Sequence, residues 1–195
     1  MSGLPEIVSA LEHAGLLARA PGKLPAISGL TADTRRLTKG MLYCAVRGAV
    51  QDGHAFLAQA AQRGAAVALV ESPDGAALPQ IVVTDGRRAA AVAAETWYGR
   101  PADRLRLVGV TGTNGKTTSV TLARHVLSAR WPMGSIGTLG AFAPDGTAVE
   151  SEAGNLTTPG PIDLQATLAA LVAKDQLPQG VVERAIRDFG IEPLV

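Results

Sequence analysis

The stretch Leu105-Arg106-Leu107-Val108-Gly109-Val110-Thr111-Gly112-Thr113-Asn114-Gly115-Lys116-Thr117-Thr118-Ser119 decides how the chain is read. An apolar run, predicted as a strand over Leu105–Val110, enters a turn with glycines at 109, 112 and 115. It leaves into Ser119–Trp131, where Val120, Ala123, Val126 and Leu127 recur at helical spacing and are expected on one face. A strand that turns through glycine into a helix aims unpaired backbone N–H groups at one point, where the helix dipole also favours an anion. Glycine permits close approach of phosphate oxygens and positive φ. Lys116 would neutralise β- and γ-phosphate charge, and the Thr117 hydroxyl is placed to bind Mg²⁺. The general pattern G-x-x-x-x-G-K-[ST] would place a glycine at position 110, where this chain has Val110. The bland alternative is a glycine turn followed by a solvated lysine.

Upstream of this loop, Gly99-Arg100-Pro101 breaks the pattern and marks a domain boundary, which predicts a first domain over 1–100 and a second over 101–175. Leu4, Ile7, Val8, Leu11, Ala14 and Leu17 predict an opening helix. Strands are expected at Met41–Val46, Ala66–Val70 and Gln80–Val83, with helices at Ala55–Arg63 and Arg87–Tyr98. This alternation predicts a small α/β domain. Downstream, Pro132–Leu139 reads as a turn and strand, Ala141–Gly154 as a polar loop or hairpin, and Leu164–Val172 as a helix. Residues 176–195 hold a further amphipathic helix.

Composition narrows the partners. Lys+Arg is 18 against Asp+Glu 17, so the net charge of +1 gives no electrostatic footprint for nucleic acid or an anionic membrane. Aromatic content of 4% argues against base-stacking platforms. Cys44 is the lone cysteine, so an intramolecular disulfide and a cysteine zinc site are excluded, and it reads as core filler. Glu6 and Glu12 sit in the first apolar segment without a basic n-region, against a secretory signal. No apolar stretch approaches the roughly 20 residues of a membrane span. A cytoplasmic location is expected. His13, His54 and His125 lack metal-ligand spacing and are expected on surfaces or helix faces; Asp103, Arg104 and Arg106 read as a solvated linker, and Trp97 and Trp131 as packed helix ends.

The series Gly109-Val110-Thr111-Gly112-Thr113-Asn114-Gly115-Lys116-Thr117-Thr118 resembles the phosphate loop of the Mur ligase family, which departs from the general pattern in the same way, and also suits the related folylpolyglutamate synthetases. Thr31-Ala32-Asp33-Thr34-Arg35, then Lys39-Gly40-Met41-Leu42-Tyr43-Cys44-Ala45-Val46-Arg47-Gly48 and Asp52-Gly53, resemble that family's uridine-nucleotide-binding N-terminal domain. Gly137-Thr138-Leu139-Gly140, Leu156-Thr157-Thr158-Pro159 and Asp163-Leu164-Gln165 are similar to its MurE branch. The resemblance spans residues 27–174. It implies an α/β chain with a small N-terminal substrate-binding domain followed by an incomplete parallel-sheet ATPase domain. It implies ATP contacts from Gly112, Thr113, Asn114, Gly115, Lys116, Thr117 and Thr118, with Lys116 catalytic and Thr117 on Mg²⁺. It assigns the UDP end of a UDP-MurNAc-L-Ala-D-Glu precursor to Ala32, Thr34 and the loop Ala49, Val50 and Gln51, and the muramoyl-peptide part to Thr157 and Thr158. Asp33-Thr34 also reads as a plain polar turn, and Thr157-Thr158-Pro159 as a capped connection.

The implied reaction is ATP-dependent amide-bond formation in peptidoglycan synthesis: a precursor carboxylate is phosphorylated, then attacked by the amine of a diamino acid. The family's Glu-Xaa-Ser-Ser-His-type stretch, its modified lysine and its amino-acid-binding third domain have no counterpart here. The tail at 176–195 matches nothing in the resemblance. A truncated, catalytically incomplete ligase is therefore expected. A non-catalytic nucleotide- or precursor-binding module is the alternative; a phosphate-loop ATPase or kinase outside the family ranks last. Which diamino acid is added, and the oligomeric state, are not legible.

Overall fold

The computed structural model describes residues 3–48, 51–75, 78–149 and 159–174. The chain divides into two compact units, Met1–Gly99 and Arg100–Val195. At the junction Gly99 (φ 73°) and Arg100 (φ 53°) both occupy the left-handed region, directly before the 3₁₀ turn Pro101–Arg104. Arg100 is the one non-glycine residue with positive φ among those described.

The first unit is a five-stranded sheet with strands β1 (Leu17–Arg19), β2 (Leu30–Thr31), β3 (Leu42–Cys44), β4 (Val67–Val70) and β5 (Gln80–Val83), in spatial order β1-β5-β4-β3-β2. Strands β2 to β5 are parallel and β1 joins the β5 edge antiparallel. In register, Leu42 faces Val67 and Leu69 faces Ile81. All four residues of β4 are buried, the pattern of a parallel strand covered on both faces. On one face Tyr43, Ala45, Ala68 and Val70 pack with Leu57 and Ala60 of the short helix α2 (Leu57–Gln62), which follows a 3₁₀ turn at Gly53–Phe56. The alternate residues Leu42, Cys44, Val67, Leu69 and Ile81 are fully buried and point to the opposite face.

Helices α1 (Leu4–His13) and α3 (Gly86–Trp97) pack on each other, and α3 also lies on β4. Helix α1 buries Leu4, Ile7 and Leu11, spaced to form one apolar stripe. In α3 the buried residues Ala89, Ala90, Ala93 and Ala94 have small side chains, which let the helix axis come close to its neighbours. Trp97 closes its last turn at 7% exposure, as the sequence predicts. The start of α3 is held by two carboxylates: Asp85 accepts from the Arg88 N–H (2.9 Å), and Glu71, just past β4, accepts from the Gly86 N–H (2.7 Å).

The second unit contains α4 (Lys116–Ser128), β6 (Ser135–Gly137), β7 (Gly140–Phe142), β8 (Ala148–Val149) and α5 (Pro161–Lys174). Strands β6, β7 and β8 form an antiparallel meander whose core is Ala141, Ala143, Val149 and Leu171. Of the two readings of Ala141–Gly154, the hairpin is the one formed in the described part. Its turn is closed by Asp145, which accepts from both the Thr147 N–H (2.8 Å) and the Thr147 hydroxyl (2.7 Å).

The α/β class is borne out, with the parallel sheet in the first unit. Three expectations about the second unit are corrected. The strands described there, expected to belong to a parallel sheet, pair antiparallel, because they are joined by tight turns rather than crossover helices. Leu105–Val110 is not a strand: among the described residues no other segment pairs with it, and a strand exists only through its ladder partners. Leu107 is accordingly 49% exposed. On α4, Val126 does not share a face with the half-buried Val120, Ala123 and Leu127; it lies 59% exposed, as does Leu122 at 60%. The tail at 176–195 lies outside the described residues.

Candidate functional site

Two sites arise, one in each unit. In the second unit the loop from Thr111 to Gly115 turns the chain into α4. Gly112 has φ 144° and Gly115, the residue capping α4, has φ 81°, both in territory that disfavours any side chain. Helix α4 has no side-chain cap, and its first internal bond is from the Ser119 N–H to the Gly115 carbonyl (2.8 Å). The N–H groups of the first turn are therefore left for something else, at the positive end of a helix dipole. Lys116 reaches back across this turn: its Nζ donates to the Gly112 carbonyl at 2.6 Å and to the Thr113 carbonyl at 3.4 Å. The ammonium group thus stands over the loop instead of extending into solvent. Thr113, Asn114, Thr117 and Thr118 are exposed, with the Thr117 hydroxyl in the first turn beside the lysine.

This donor set fits a polyphosphate: two glycines in left-handed backbone, uncapped helical N–H groups, one ammonium and one hydroxyl. The same residues fit Mg²⁺ through Thr117 only as a single ligand; among the described residues no group of three or more His, Cys, Asp or Glu gathers to hold a metal.

In the first unit the polar residues collect at the carboxyl ends of β2, β3 and β4, where parallel sheets bind ligands. Thr31, the last residue of β2, is buried; beyond it Ala32 is exposed and Thr34 is 9% exposed. Asp33 organises this turn by accepting from the Arg35 backbone N–H (2.8 Å) and the Arg35 guanidinium (2.7 Å to Oδ2). That side-chain bond lowers the Asp33 pKa below the ordinary carboxylate value. Arg63 fixes the same turn from α2's end by donating to the Thr34 carbonyl at 2.8 Å. The polar-turn reading of Asp33-Thr34 is thus correct as local structure, and the turn presents Ala32 outward.

Beyond β3, an antiparallel bridge joins Arg47 to Asp52, and the Gly48 N–H donates to the Gln51 carbonyl at 2.9 Å. Gln51 is exposed there. The neighbouring assignments Ala49 and Val50 lie outside the described residues, as do Thr157 and Thr158.

The sequence reading missed His54. It is not a surface histidine: its side chain is 13% exposed and tied at both nitrogens. Nδ1 bonds Asp52 Oδ1 at 2.6 Å, and Nε2 faces the backbone N–H groups of Glu71 (3.0 Å) and Ser72 (3.4 Å). Because those N–H groups only donate, Nε2 accepts and Nδ1 carries the proton. His54 bonds lower the Asp52 pKa, the backbone N–H bond contributing most. Asp52 lies two residues away, but no local motif marks the backbone partners of Nε2, which lie just past β4. His13 and His125 are exposed, as expected.

Cys44 is fully buried, and burial pushes its thiol pKa up to about 12, in keeping with core filler. No helix among the described residues is long and apolar enough to cross a membrane.

An α/β chain with a lysine folded over a glycine-bounded helix start has the build of a phosphate-binding protein. Comparison with known proteins narrows the class. The model of the Mur ligase family catalytic domain matches residues 26–98, and that of the Mur ligase middle domain matches residues 110–188, past residue 174 where the resemblance above ends. The chain is 41% identical over 164 residues to a UDP-N-acetylmuramoyl-L-alanyl-D-glutamate--2,6-diaminopimelate ligase from Geobacillus thermodenitrificans, covering 80% of this chain and 33% of the relative. It is 36% identical over 185 residues to the ligase of the same name from Geobacter metallireducens, covering 93% of this chain and 34% of that one. A solved structure of a ligase with that name superposes with a TM-score of 0.56 at 23% identity, over 76% of this chain and 30% of the other, a likeness of fold. The chain belongs to the Mur ligase family. It spans about a third of the length of the curated relatives it matches.

Proposed function

We propose that this chain carries the precursor-binding and phosphate-binding portions of an ATP-dependent ligase that adds a diamino acid to UDP-MurNAc-L-Ala-D-Glu in cytoplasmic peptidoglycan synthesis. The observation that carries this reading is the Lys116 ammonium 2.6 Å from the Gly112 carbonyl, over a helix start that no side chain caps. The relatives' names supply the substrate and the diamino acid. In this reading Gly112, Thr113, Asn114, Gly115 and Thr118 line the phosphates through backbone and hydroxyl groups. Lys116 would neutralise charge on the transferred phosphoryl group, and Thr117 would contribute one oxygen to Mg²⁺. Bound ATP would supply the phosphoryl group that lets one oxygen of the precursor's carboxylate leave as phosphate when the amine attacks its carbon. Ala32, Thr34 and Gln51, with Ala49 and Val50, hold the uridine end of the precursor, while Thr157 and Thr158 meet its muramoyl-peptide part. Nucleic acid and membranes are not partners in this reading.

Calorimetric titration of the 195-residue chain with Mg-ATP tests it. The parent binds, and Lys116→Ala weakens binding by about tenfold or more, the scale of one charge-assisted bond lost to phosphate. A parent that holds no ATP, or a variant that holds it equally well, would sink the assignment. Phosphate release with ATP, Mg²⁺, UDP-MurNAc-L-Ala-D-Glu and a diamino acid separates ligase from binding module. We expect binding without turnover from these 195 residues; sustained ligation would show that they hold the whole catalytic apparatus.

A further inference from the structure

We propose that His54 is a positioning residue for uridine-nucleotide binding, acting by locking the base of the β3 loop to the carboxyl end of β4. The inference rests on the reading of the first unit as the precursor-binding unit.

The geometry is a chain of bonds between three segments. Arg47 and Asp52 form the two sides of the loop base. Arg47 Nε lies 3.6 Å from Asp52 Oδ2 and 3.2 Å from Glu71 Oε2, and its Nη2 donates to the Ser72 hydroxyl at 3.1 Å. His54 makes the complementary link, donating from Nδ1 to Asp52 and accepting at Nε2 from Glu71 and Ser72. Glu71 then passes the constraint on by accepting the Gly86 N–H at the start of α3. Tyr43 donates to the Gly53 carbonyl at 2.9 Å, which holds the residue between Asp52 and His54 against β3.

Two features make His54 more than packing. Its ring satisfies two backbone N–H groups just beyond β4 that have no ladder partner there, using an acceptor that only an unprotonated ring nitrogen provides. The opposite nitrogen must then donate, so one tautomer sets the rotation of Asp52 and, through the Asp52–Arg47 pair, the spacing of the loop base. Gln51 stands on that base, its carbonyl bonded to the Gly48 N–H. The charged residues in this chain of bonds are Asp52, Arg47 and Glu71, of which Asp52 meets the ring through its carboxylate. Arg47 is shared between two carboxylates, so it is committed to holding the edge rather than free to take a phosphate. The edge therefore offers the ligand a fixed backbone shape, and His54 fixes it.

The test uses the full chain and titration with UDP-MurNAc-L-Ala-D-Glu, together with far-UV circular dichroism. His54→Phe keeps the bulk of the ring and loses both bonds; binding should weaken by about tenfold, the scale of one or two lost hydrogen bonds. His54→Gln can donate to Asp52 and accept from Glu71, and should bind within about threefold of the parent. Nitrogen-15 spectra of the parent should show Nδ1 protonated and Nε2 bare, with both signals moving on ligand addition. A His54→Phe chain that binds like the parent overturns the role, as does a His54→Gln chain no better than His54→Phe. If His54→Phe does not fold, the ring signals decide, and signals unmoved by saturating ligand overturn it. A parent that binds no precursor overturns the reading of the unit, and the positioning role with it.

Discussion

Gly53→Ala is the sharpest test of how the first unit is held at its candidate site. The backbone of Gly53 is not in left-handed space, so the argument is one of room. A Cβ at this position would stand 2.8 Å from the Val46 carbonyl oxygen, 2.9 Å from the Val46 nitrogen and 3.0 Å from the Ala45 carbonyl carbon. All three are backbone atoms of the segment leaving β3, and they cannot rotate away. The 52–54 segment must move outward instead. That displaces the bond from the Gly53 N–H to the Val46 carbonyl (3.1 Å) and the bond from Tyr43 to the Gly53 carbonyl (2.9 Å). Overpacking costs roughly 1–3 kcal/mol, and each of the two weakened bonds about 0.5 kcal/mol. The sum is about 2–4 kcal/mol. Urea unfolding followed by Trp97 fluorescence, in a Trp131→Phe background so that the first unit reports alone, should show the midpoint falling by about 1–2 M for an m-value of roughly 2 kcal/mol/M. Gly75→Ala is the control, because among the described residues nothing beyond its chain neighbours lies within 4 Å of its added methyl. A Gly53→Ala midpoint within about 0.3 M of the control would refute the reasoning, since it would mean that the 52–54 segment is not pressed against β3.

Other outcomes follow from burial and charge. Leu69→Ala, fully buried in β4, should destabilise the first unit by about 2–5 kcal/mol in the same denaturation, whereas Leu122→Gln on the exposed side of α4 should stay within about 0.5 kcal/mol when Trp131 reports in a Trp97→Phe background. Burial raises the Cys44 pKa from 9.0 and the Tyr43 pKa from 10.0, each to about 12. Both groups are thus held neutral in the folded chain, so their contribution is intact below the unfolded values and is lost as pH rises toward 12. Stability measured from pH 8 to 11.5 should fall, and Cys44→Ala should fall less steeply; an unchanged slope would contradict the burial. The depressed Asp33 pKa works in the opposite sense, its contribution present above the unfolded value of 3.8 and lost as pH drops through the folded value. The stability difference between pH 6 and pH 3 should therefore narrow in Asp33→Asn, and an equal difference would show that the Arg35 pair does nothing for the fold.

What could be read from the residues alone was what lies close along the chain. Gln80–Val83 is a strand over the range its apolar run predicts, and Trp97 packs at the end of a helix that its alanine spacing outlines. The loop proposed to hold phosphate belongs to the same class, because Gly112, Gly115 and Lys116 meet within one turn and no distant segment is needed to bring them together. Three features depended on residues far away in sequence. Leu105–Val110 has a strand's composition, yet pairing is a property of two segments and no partner lies among the described residues. Val126 fits an apolar stripe by spacing, but which side of α4 is covered is decided by what packs on it. His54 has one local partner in Asp52, but its other nitrogen is met by Glu71 and Ser72, which reach it only because β3 and β4 lie side by side in a parallel sheet. Periodicity and turn chemistry act within a few residues, so they are written in the chain; pairing, facing and the proton on a ring nitrogen are set by neighbours that folding alone supplies.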